Sequence, residues 1–87
     1  MVLSGHSKHV RCLALLPDGR LCSGSHDKTI KIWNTSTGQC EMTLTGHFGG
    51  VASICILSDT MLCSGSTDKT IKIWSTLTVE SEMTLTH

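Results

Sequence analysis

The sequence predicts an all-β protein built from two copies of one four-stranded antiparallel unit. Three observations lead to this prediction. A segment of 41 residues occurs twice, as residues 5–45 and 46–86, and 24 of the 41 aligned positions are identical. Each copy divides into four short apolar or alternating runs separated by turn residues, which is typical of strands joined by tight connections. No segment of ten or more residues has the apolar spacing of a helix.

The four predicted strands of the first copy follow one another without long loops. Val10–Leu16 is apolar and ends at a Pro-Asp-Gly turn, after which Leu21–Ser25 forms the second strand. A tight turn around Asp27 leads to Thr29–Asn34, in which isoleucines alternate with other residues. Gln39–Thr45 alternates in the same way and suits a half-exposed outer strand. The second copy repeats these strands as residues 51–57, 61–66, 70–75 and 79–86.

Apolar side chains are expected on both surfaces of each predicted sheet. One surface would carry Leu13, Leu15, Ile54 and Ile56. The other would carry Val10, Cys12, Leu16, Val51, Cys55 and Leu57. A sheet with two apolar surfaces has to bury both against neighbouring units, which two units alone cannot do.

Short motifs recur at the same place in both copies. Each copy begins with Gly-His, contains Ser-Gly-Ser-x-Asp and finishes with Ile-Trp-Asn or Ile-Trp-Ser. In combination, at a spacing near 40 residues, these motifs resemble the WD40 repeat of β-propeller proteins. The family's Trp-Asp ending is replaced here by Trp33-Asn34 and Trp74-Ser75, at a position that varies in the family. The resemblance implies that residues 5–45 and 46–87 are two propeller blades, and that residues 1–4 are the remnant of a preceding outer strand.

The resemblance also implies a buried hydrogen-bond chain in each blade. In the first blade it would join His6, Ser23, Asp27 and Trp33. In the second it would join His47, Ser64, Asp68 and Trp74. Serine, histidine and aspartate together invite a hydrolase interpretation, but the set is duplicated with its whole strand context and its serines lie within strands. We therefore predict a structural network with no catalytic residues, and a protein that is not an enzyme.

A propeller of about four to eight blades is more than this chain supplies. We expect homo-oligomerisation by head-to-tail contacts, which would close a six-bladed ring from three copies or an eight-bladed ring from four, with four favoured. The alternatives are a fragment of a longer WD40 protein, such as an adaptor or substrate receptor, and a purely structural assembly unit. At a junction between copies, residues 1–4 would compete with the C-terminal strand 79–86. We expect the C-terminal strand to win, the opposite of the strand-sharing latch of closed propellers.

Composition excludes several other classes of protein. Seven basic and seven acidic residues give a formal net charge of 0, without charge runs, so neither nucleic acid nor a membrane is an expected partner. The start of the chain has no leader-like segment, which favours the cytoplasm, with the nucleus as the alternative. Five cysteines without a Cys-x-x-Cys pair argue against disulfides and zinc, and we expect them to be small buried residues. No metal or cofactor is predicted.

The predicted function is that of a non-enzymatic scaffold whose loop face holds a protein or peptide. The WD40 resemblance implies two gripping positions per blade, which are Arg11 and His26 in the first and Ala52 and Thr67 in the second. Arg11 could bind an anion or a phosphate through its guanidinium fork, and His26 could add a pH-sensitive donor. Phe48 would be an anchor if exposed and a packing residue if buried. The alternative for the charged positions, including Lys8 and His9, is that they are merely solvated.

Overall fold

The computed structural model describes residues 5–6, 8–58, 60–76 and 81–86, which form two four-stranded sheets. The strands are β1 Val10–Leu15, β2 Leu21–Ser25, β3 Thr29–Trp33, β4 Cys40–Thr45, β5 Val51–Ile56, β6 Met61–Ser66, β7 Thr70–Ser75 and β8 Ser81–Thr86. Each sheet is a meander in chain order, and every pairing is antiparallel. The prediction of an all-β chain with two four-stranded units is confirmed. The predicted junction at residues 1–4 and the start of β8 at residues 79–80 lie outside the described residues, as does His87.

The turns that join β2 to β3 and β6 to β7 hold a lysine in the left-handed region. Lys28 has a φ of 75° and Lys69 a φ of 70°. The preceding aspartate in each turn accepts hydrogen bonds from the backbone and side chain of the threonine that begins the next strand, as Asp27 does from Thr29. These local bonds fix the turn and aim the aspartate side chain back toward the start of the blade.

An extra residue bulges from the inner strand of each blade. Val10 pairs with Ser25 and Cys12 with Gly24, so Arg11 has no partner across the ladder. Because a bulge reverses the alternation of side chains, Val10 lies on the same surface as Leu13. The prediction that placed Val10 and Val51 on the surface of Cys12 and Cys55 was therefore wrong, since alternation in a sequence does not reveal a bulge.

A second bulge, where β3 pairs with β4, has a similar effect on Cys40, which is exposed. Cys22 is buried, Cys12 and Cys63 are half-buried, and Cys55 is also exposed; all five cysteine thiols are free. The expectation that all the cysteines would be buried was wrong for Cys40 and Cys55.

The second blade packs its inner strand against β1 and β2 of the first. The side chain of Val51 lies on Gly24, so closely that a Cβ on that glycine would fall 2.6 Å from Val51 Cγ1. This contact lies in a hydrophobic core to which both blades contribute. The core consists of Leu16, Cys22, Ile30, Ile32, Leu44, Val51, Leu62 and Trp74. A side chain at position 24 would therefore push the two blades apart.

Equivalent residues of the two blades differ sharply in exposure. Val51 is 0% exposed and Val10 is 50% exposed; Ile30 and Ile71 are 0% and 41% exposed; Leu44 and Leu85 are 1% and 47% exposed. The local sequences are nearly the same, so the neighbouring blade makes the difference. Each blade thus has one covered surface and one open apolar surface.

Candidate functional site

A chain of four hydrogen-bonded side chains spans each blade. In the first blade, Trp33 Nε1 lies 2.8 Å from Ser23 Oγ, Ser23 Oγ lies 2.6 Å from His6 Nε2, and His6 Nδ1 lies 2.8 Å from Asp27 Oδ2. An indole N–H can only donate and a carboxylate can only accept. The serine hydroxyl therefore donates to Nε2, and the imidazole donates its Nδ1–H to the aspartate.

The second blade contains the equivalent chain at similar distances. Trp74 Nε1 lies 2.8 Å from Ser64 Oγ, Ser64 Oγ 2.7 Å from His47 Nε2, and His47 Nδ1 3.2 Å from Asp68 Oδ2. Each imidazole also meets the tryptophan ring edge-on, with centroids 6.2 Å apart in the first blade and 6.0 Å in the second. In each blade the hydrogen bonds hold the segment before the inner strand to the next two strands and to the turn between them.

Sequence reasoning missed the threonine of this network. Thr29 Oγ1 donates to Asp27 Oδ1 at 2.5 Å and lies 3.3 Å from His6 Nδ1. Thr70 makes the same pair of contacts, to Asp68 Oδ1 and, at 3.2 Å, to His47 Nδ1. The signal was present in the sequence, since Asp-Lys-Thr occurs unchanged in both copies.

The surroundings of the hydrogen-bond chain in the second blade shift the pKa values of Asp68 and His47. Desolvation, the largest influence, acts to raise the pKa of Asp68, but the hydrogen bonds that this carboxylate accepts outweigh it and the pKa lies well below its usual range. The donors are the Thr70 hydroxyl and amide, the Phe48 amide and the His47 ring. Desolvation lowers the pKa of His47, and the attraction of Asp68 offsets this only in part. The stable form is therefore a carboxylate beside a neutral imidazole.

The order serine, histidine, aspartate matches the connectivity of a hydrolytic triad, but the serines are not accessible. Ser23 is 3% exposed and Ser64 1% exposed. Each serine oxygen also accepts a tryptophan N–H, which holds the hydroxyl inside the blade and occupies one of its two lone pairs. The geometry serves to hold the blade together. In the part of the chain that the structure describes, no three His, Cys, Asp or Glu side chains are grouped as metal ligands.

A cationic group lies on the loop face of the first blade, at the edge formed by the start of β1 and the end of β2. Arg11 Nη1 lies 3.2 Å from His26 Nδ1. The arginine can only donate, so this histidine nitrogen accepts in this contact. Ser25 Oγ holds the preceding segment in place through the carbonyl oxygens of His9, at 2.9 Å, and Lys8, at 3.2 Å. We call the four side chains Lys8, His9, Arg11 and His26 the basic rim.

The basic rim borders an open hollow of about 430 Å³, which is lined by His6, Lys8, His9 and His26. The second blade has no counterpart to these charges, because the equivalent positions are Gly49, Gly50, Ala52 and Thr67. These residues leave room for the neighbouring rim: a Cβ on Gly50 would lie only 3.0 Å from His26 Nδ1. The loop face is therefore asymmetric although the blades are repeats.

The remaining predicted contact residues, Phe48, Ala52 and Thr67, belong to the second blade. Phe48 is 86% exposed, and its backbone amide donates to Asp68 at 2.8 Å, so the ring projects from a fixed anchor point and does not pack into a blade. Ala52 and Thr67 are exposed. A Cβ added to Gly49 would lie 2.5 Å from Thr67 Oγ1. The structure brings Arg11 and His26 into contact and leaves Phe48 on the adjacent loop.

The opposite edge of the first blade carries charges that neutralise one another. Arg20 Nε lies 2.8 Å from Asp18 Oδ2, and Arg20 Nη1 lies 3.7 Å from Glu41 Oε1. The two arginines of the chain therefore differ in their partners: Arg20 is paired with carboxylates, whereas Arg11 contacts the imidazole of His26. Within the described residues, no helix is long and apolar enough to cross a membrane.

Comparison with known proteins places these features among repeat proteins. The family model described as "WD domain, G-beta repeat" matches residues 1–34 and 38–75. Ribosome biogenesis protein BOP1 of Mus musculus is 48% identical over 44 residues, which are 49% of this chain and 6% of that protein. WD repeat-containing protein 18 of Homo sapiens is 44% identical over 43 residues, which are 48% of this chain and 10% of that protein.

Two solved structures resemble the chain over nearly its whole length. They are titled "Structure of U3-55K" and "Crystal structure of RRP9 WD40 repeats", and each has a TM-score of 0.88, 36% identity and coverage of 97% of this chain. The chain covers only 26% of either structure. It thus spans about a quarter of these solved proteins and a tenth or less of the curated relatives it matches.

Proposed function

The chain belongs to the WD40 repeat family, and from this premise we propose that it is a two-blade segment of a protein-interaction propeller that grips an acidic partner segment on its basic rim. The observation that carries the proposal is the asymmetry of the loop face. The two blades agree at 24 of 41 positions, yet the basic rim of the first is replaced by uncharged residues in the second. A structural task alone would not require that difference, because both blades form the same hydrogen-bond chain.

The chemistry of the rim selects an anionic ligand. Arg11 presents a planar set of donors and keeps its charge at any physiological pH. Its neighbour His26 contacts one of these donors, and the Arg11 side chain is exposed. A carboxylate that pairs with such a guanidinium gains about 1.5–3 kcal/mol per charged hydrogen bond. Phe48, which projects from the next loop, supplies an apolar contact for the same extended segment.

Completion of the ring is part of the proposed function. The solved structures and curated relatives are several times longer than this chain, which supports further repeats of a longer polypeptide as the source of the missing blades. In that form the segment acts within an adaptor or receptor. Three or four copies of this chain are the other source, and self-assembly of this kind remains a proposal.

The cellular location is proposed from the names of the relatives alone. BOP1 of Mus musculus and the BOP1 homolog of Drosophila melanogaster are both named as ribosome biogenesis proteins. These names favour a nuclear location. The sequence analysis favoured the cytoplasm and gave the nucleus as the alternative. Fluorescence microscopy of the tagged protein tests the choice, and exclusion from the nucleus would contradict it.

A binding titration tests the basic rim directly. The probe is a fluorescent hexaglutamate peptide, and its anisotropy is followed as the chain is added. Arg11→Ala is expected to weaken binding by about tenfold or more, because 1.4 kcal/mol corresponds to a factor of ten. The matched control is Arg20→Ala, which removes an arginine from the opposite edge and should leave binding unchanged. Equal losses in the two variants, or equal binding of a hexaglutamine peptide, would contradict the proposal.

A further inference from the structure

Gly50 lies where the second blade meets the basic rim of the first. It belongs to the segment before β5, and its neighbour across the blade junction is His26, in the turn between β2 and β3. A Cβ added to Gly50 would lie 3.0 Å from His26 Nδ1, 3.2 Å from His26 Cα and 3.5 Å from His26 Cγ. The histidine therefore occupies the space that a side chain at position 50 would need.

The local backbone does not require a glycine at this position. Gly50 is not among the glycines with a positive φ, so its conformation is open to other residues. The first blade carries His9 at the equivalent position. Both positions accept the same backbone hydrogen bond, from His26 N–H to His9 O and from Thr67 N–H to Gly50 O, each at 3.0 Å. The contact with His26 is thus what distinguishes position 50 from position 9.

His26 in turn holds Arg11. The arginine lies in the bulge of β1, without a partner across the ladder, and its side chain is exposed. In the described part of the chain, the contact of 3.2 Å between Arg11 Nη1 and His26 Nδ1 is its one hydrogen bond to another side chain. A side chain on Gly50 would have to turn the imidazole, because it would meet the same Nδ1 atom that the guanidinium contacts.

We propose that Gly50 is a positioning residue of the basic rim, which leaves His26 free to hold the Arg11 guanidinium in place for a carboxylate of the acidic partner. The role of the carboxylate rests on the proposed function; the hold on Arg11 does not. Ordering one long side chain on binding weakens a complex by roughly two- to tenfold, and an arginine that is already held avoids that loss. The charges of the rim belong to the first blade, but the rim is complete only when the second blade is docked.

Two measurements on the 87-residue chain test the proposal. The heteronuclear NOE of the Arg11 Nε–H group reports fast motion of the guanidinium and requires no ligand. Fluorescence anisotropy gives the dissociation constant of the hexaglutamate peptide. The variants are Gly50→Val, Gly50→Ala as a smaller change, His26→Ala, and Gly50→Val combined with His26→Ala. Near-UV circular dichroism verifies that each variant is folded.

The expected pattern is a loss that the two sites share. Gly50→Val and His26→Ala each lower the NOE of Arg11 and weaken hexaglutamate binding by roughly two- to tenfold. The double variant binds like His26→Ala alone, because no imidazole remains for the valine to displace. Gly50→Ala has a smaller effect in the same direction. Ser36→Val, which places the same side chain in the exposed β3–β4 turn, is the matched control and leaves both measurements unchanged.

Three results would overturn the proposal. An unchanged NOE of Arg11 in folded Gly50→Val would show that the glycine does not position the guanidinium. Losses of affinity that multiply in the double variant would mean that the valine hinders the peptide directly. Unchanged hexaglutamate binding by Gly50→Val, with weaker binding by Arg11→Ala, would contradict this role of Gly50 and leave the proposed function intact.

The proposed function can fail separately. If Arg11→Ala binds hexaglutamate as well as the unaltered chain does, Arg11 is not the group that grips the acidic partner. A lower NOE of Arg11 in Gly50→Val, but not in Ser36→Val, would still support the hold of Gly50 and His26 on the guanidinium.

Discussion

Truncation of one isoleucine at its two equivalent positions measures the strength of the blade–blade contact. Ile30 and Ile71 occupy the same place in the identical sequence Asp-Lys-Thr-Ile-Lys-Ile-Trp, but Ile30 is 0% exposed and Ile71 41% exposed. Replacement by alanine removes three carbon atoms, worth about 0.8 kcal/mol each when fully buried, or about 2.4 kcal/mol in all. A residual cavity raises the cost at Ile30 to about 3–4 kcal/mol. At Ile71, where about three-fifths of the side chain is buried, the cost is about 1.4 kcal/mol.

The expected difference between the two variants is therefore about 2 kcal/mol. Urea unfolding, followed by tryptophan fluorescence at a dilution where the chain is monomeric, measures it. At a slope of about 1–2 kcal/mol per molar urea, the midpoints should differ by roughly 1–2 M. If Ile30→Ala does not fold, Ile30→Val and Ile71→Val provide the same comparison at a cost of about 0.5–1.5 kcal/mol for the buried site. Equal losses at the two sites would refute the conclusion that the neighbouring blade buries Ile30.

Three further predictions concern the second blade. Ser64→Ala should lower the free energy of unfolding by about 1–3 kcal/mol, because it leaves the buried Trp74 N–H without its acceptor; urea unfolding measures the loss. Stability should fall with decreasing pH from about 6.5, since the unfolded chain binds a proton that the lowered pKa of His47 excludes from the fold, and again below about 3.8, where the contribution of the Asp68 carboxylate is lost; urea midpoints between pH 3 and 8 give the profile. Lys69→Gly should raise stability by about 0.5–1 kcal/mol because it relieves a left-handed backbone, and thermal unfolding detects the gain.

Each of these predictions has a clear counter-result. Ser36→Ala, in an exposed turn, is the control for Ser64→Ala, and equal effects of the two would contradict the role of the buried hydroxyl. A pH profile that is flat between 6.5 and 5, or one that His47→Gln leaves unchanged in that range, would contradict the assignment to that imidazole. A lower melting temperature of the Lys69→Gly variant would mean that the lysine conformation carries no strain.

The strands were predictable because local chemistry determines them. Alternation of apolar residues and the Asp-Lys turn located β2, β6 and β7 to the residue, and the described ends of the other strands differ by two residues at most. The side to which Val10 points was not predictable, because the bulge at Arg11 depends on how β1 pairs with β2. The exposure of Cys55 likewise follows from a missing neighbour, which no local pattern reports.

The candidate site was predictable in part. Repetition of the Gly-His, Ser and Asp positions indicated which side chains to join, but the threonine after each turn went unnoticed. Arg11 and His26 were named from the family resemblance. Their direct contact depends on the bulge and on the segment that Ser25 holds through the carbonyl of His9. The contact between Arg11 and His26 follows from how β1 pairs with β2, which the sequence pattern does not report.

The bulge in the inner strand has a consequence for how such a repeat can diversify. One inserted residue separates two tasks on adjacent positions: the valine, as Val51 shows, turns onto the sheet surface that packs against the other blade, and Arg11 leaves the ladder for the solvent-exposed surface. The second blade keeps the valine and carries alanine at the next position. Duplicated blades can therefore acquire different recognition chemistry at a backbone position that no neighbouring blade constrains, while the fit between blades is inherited unchanged from copy to copy.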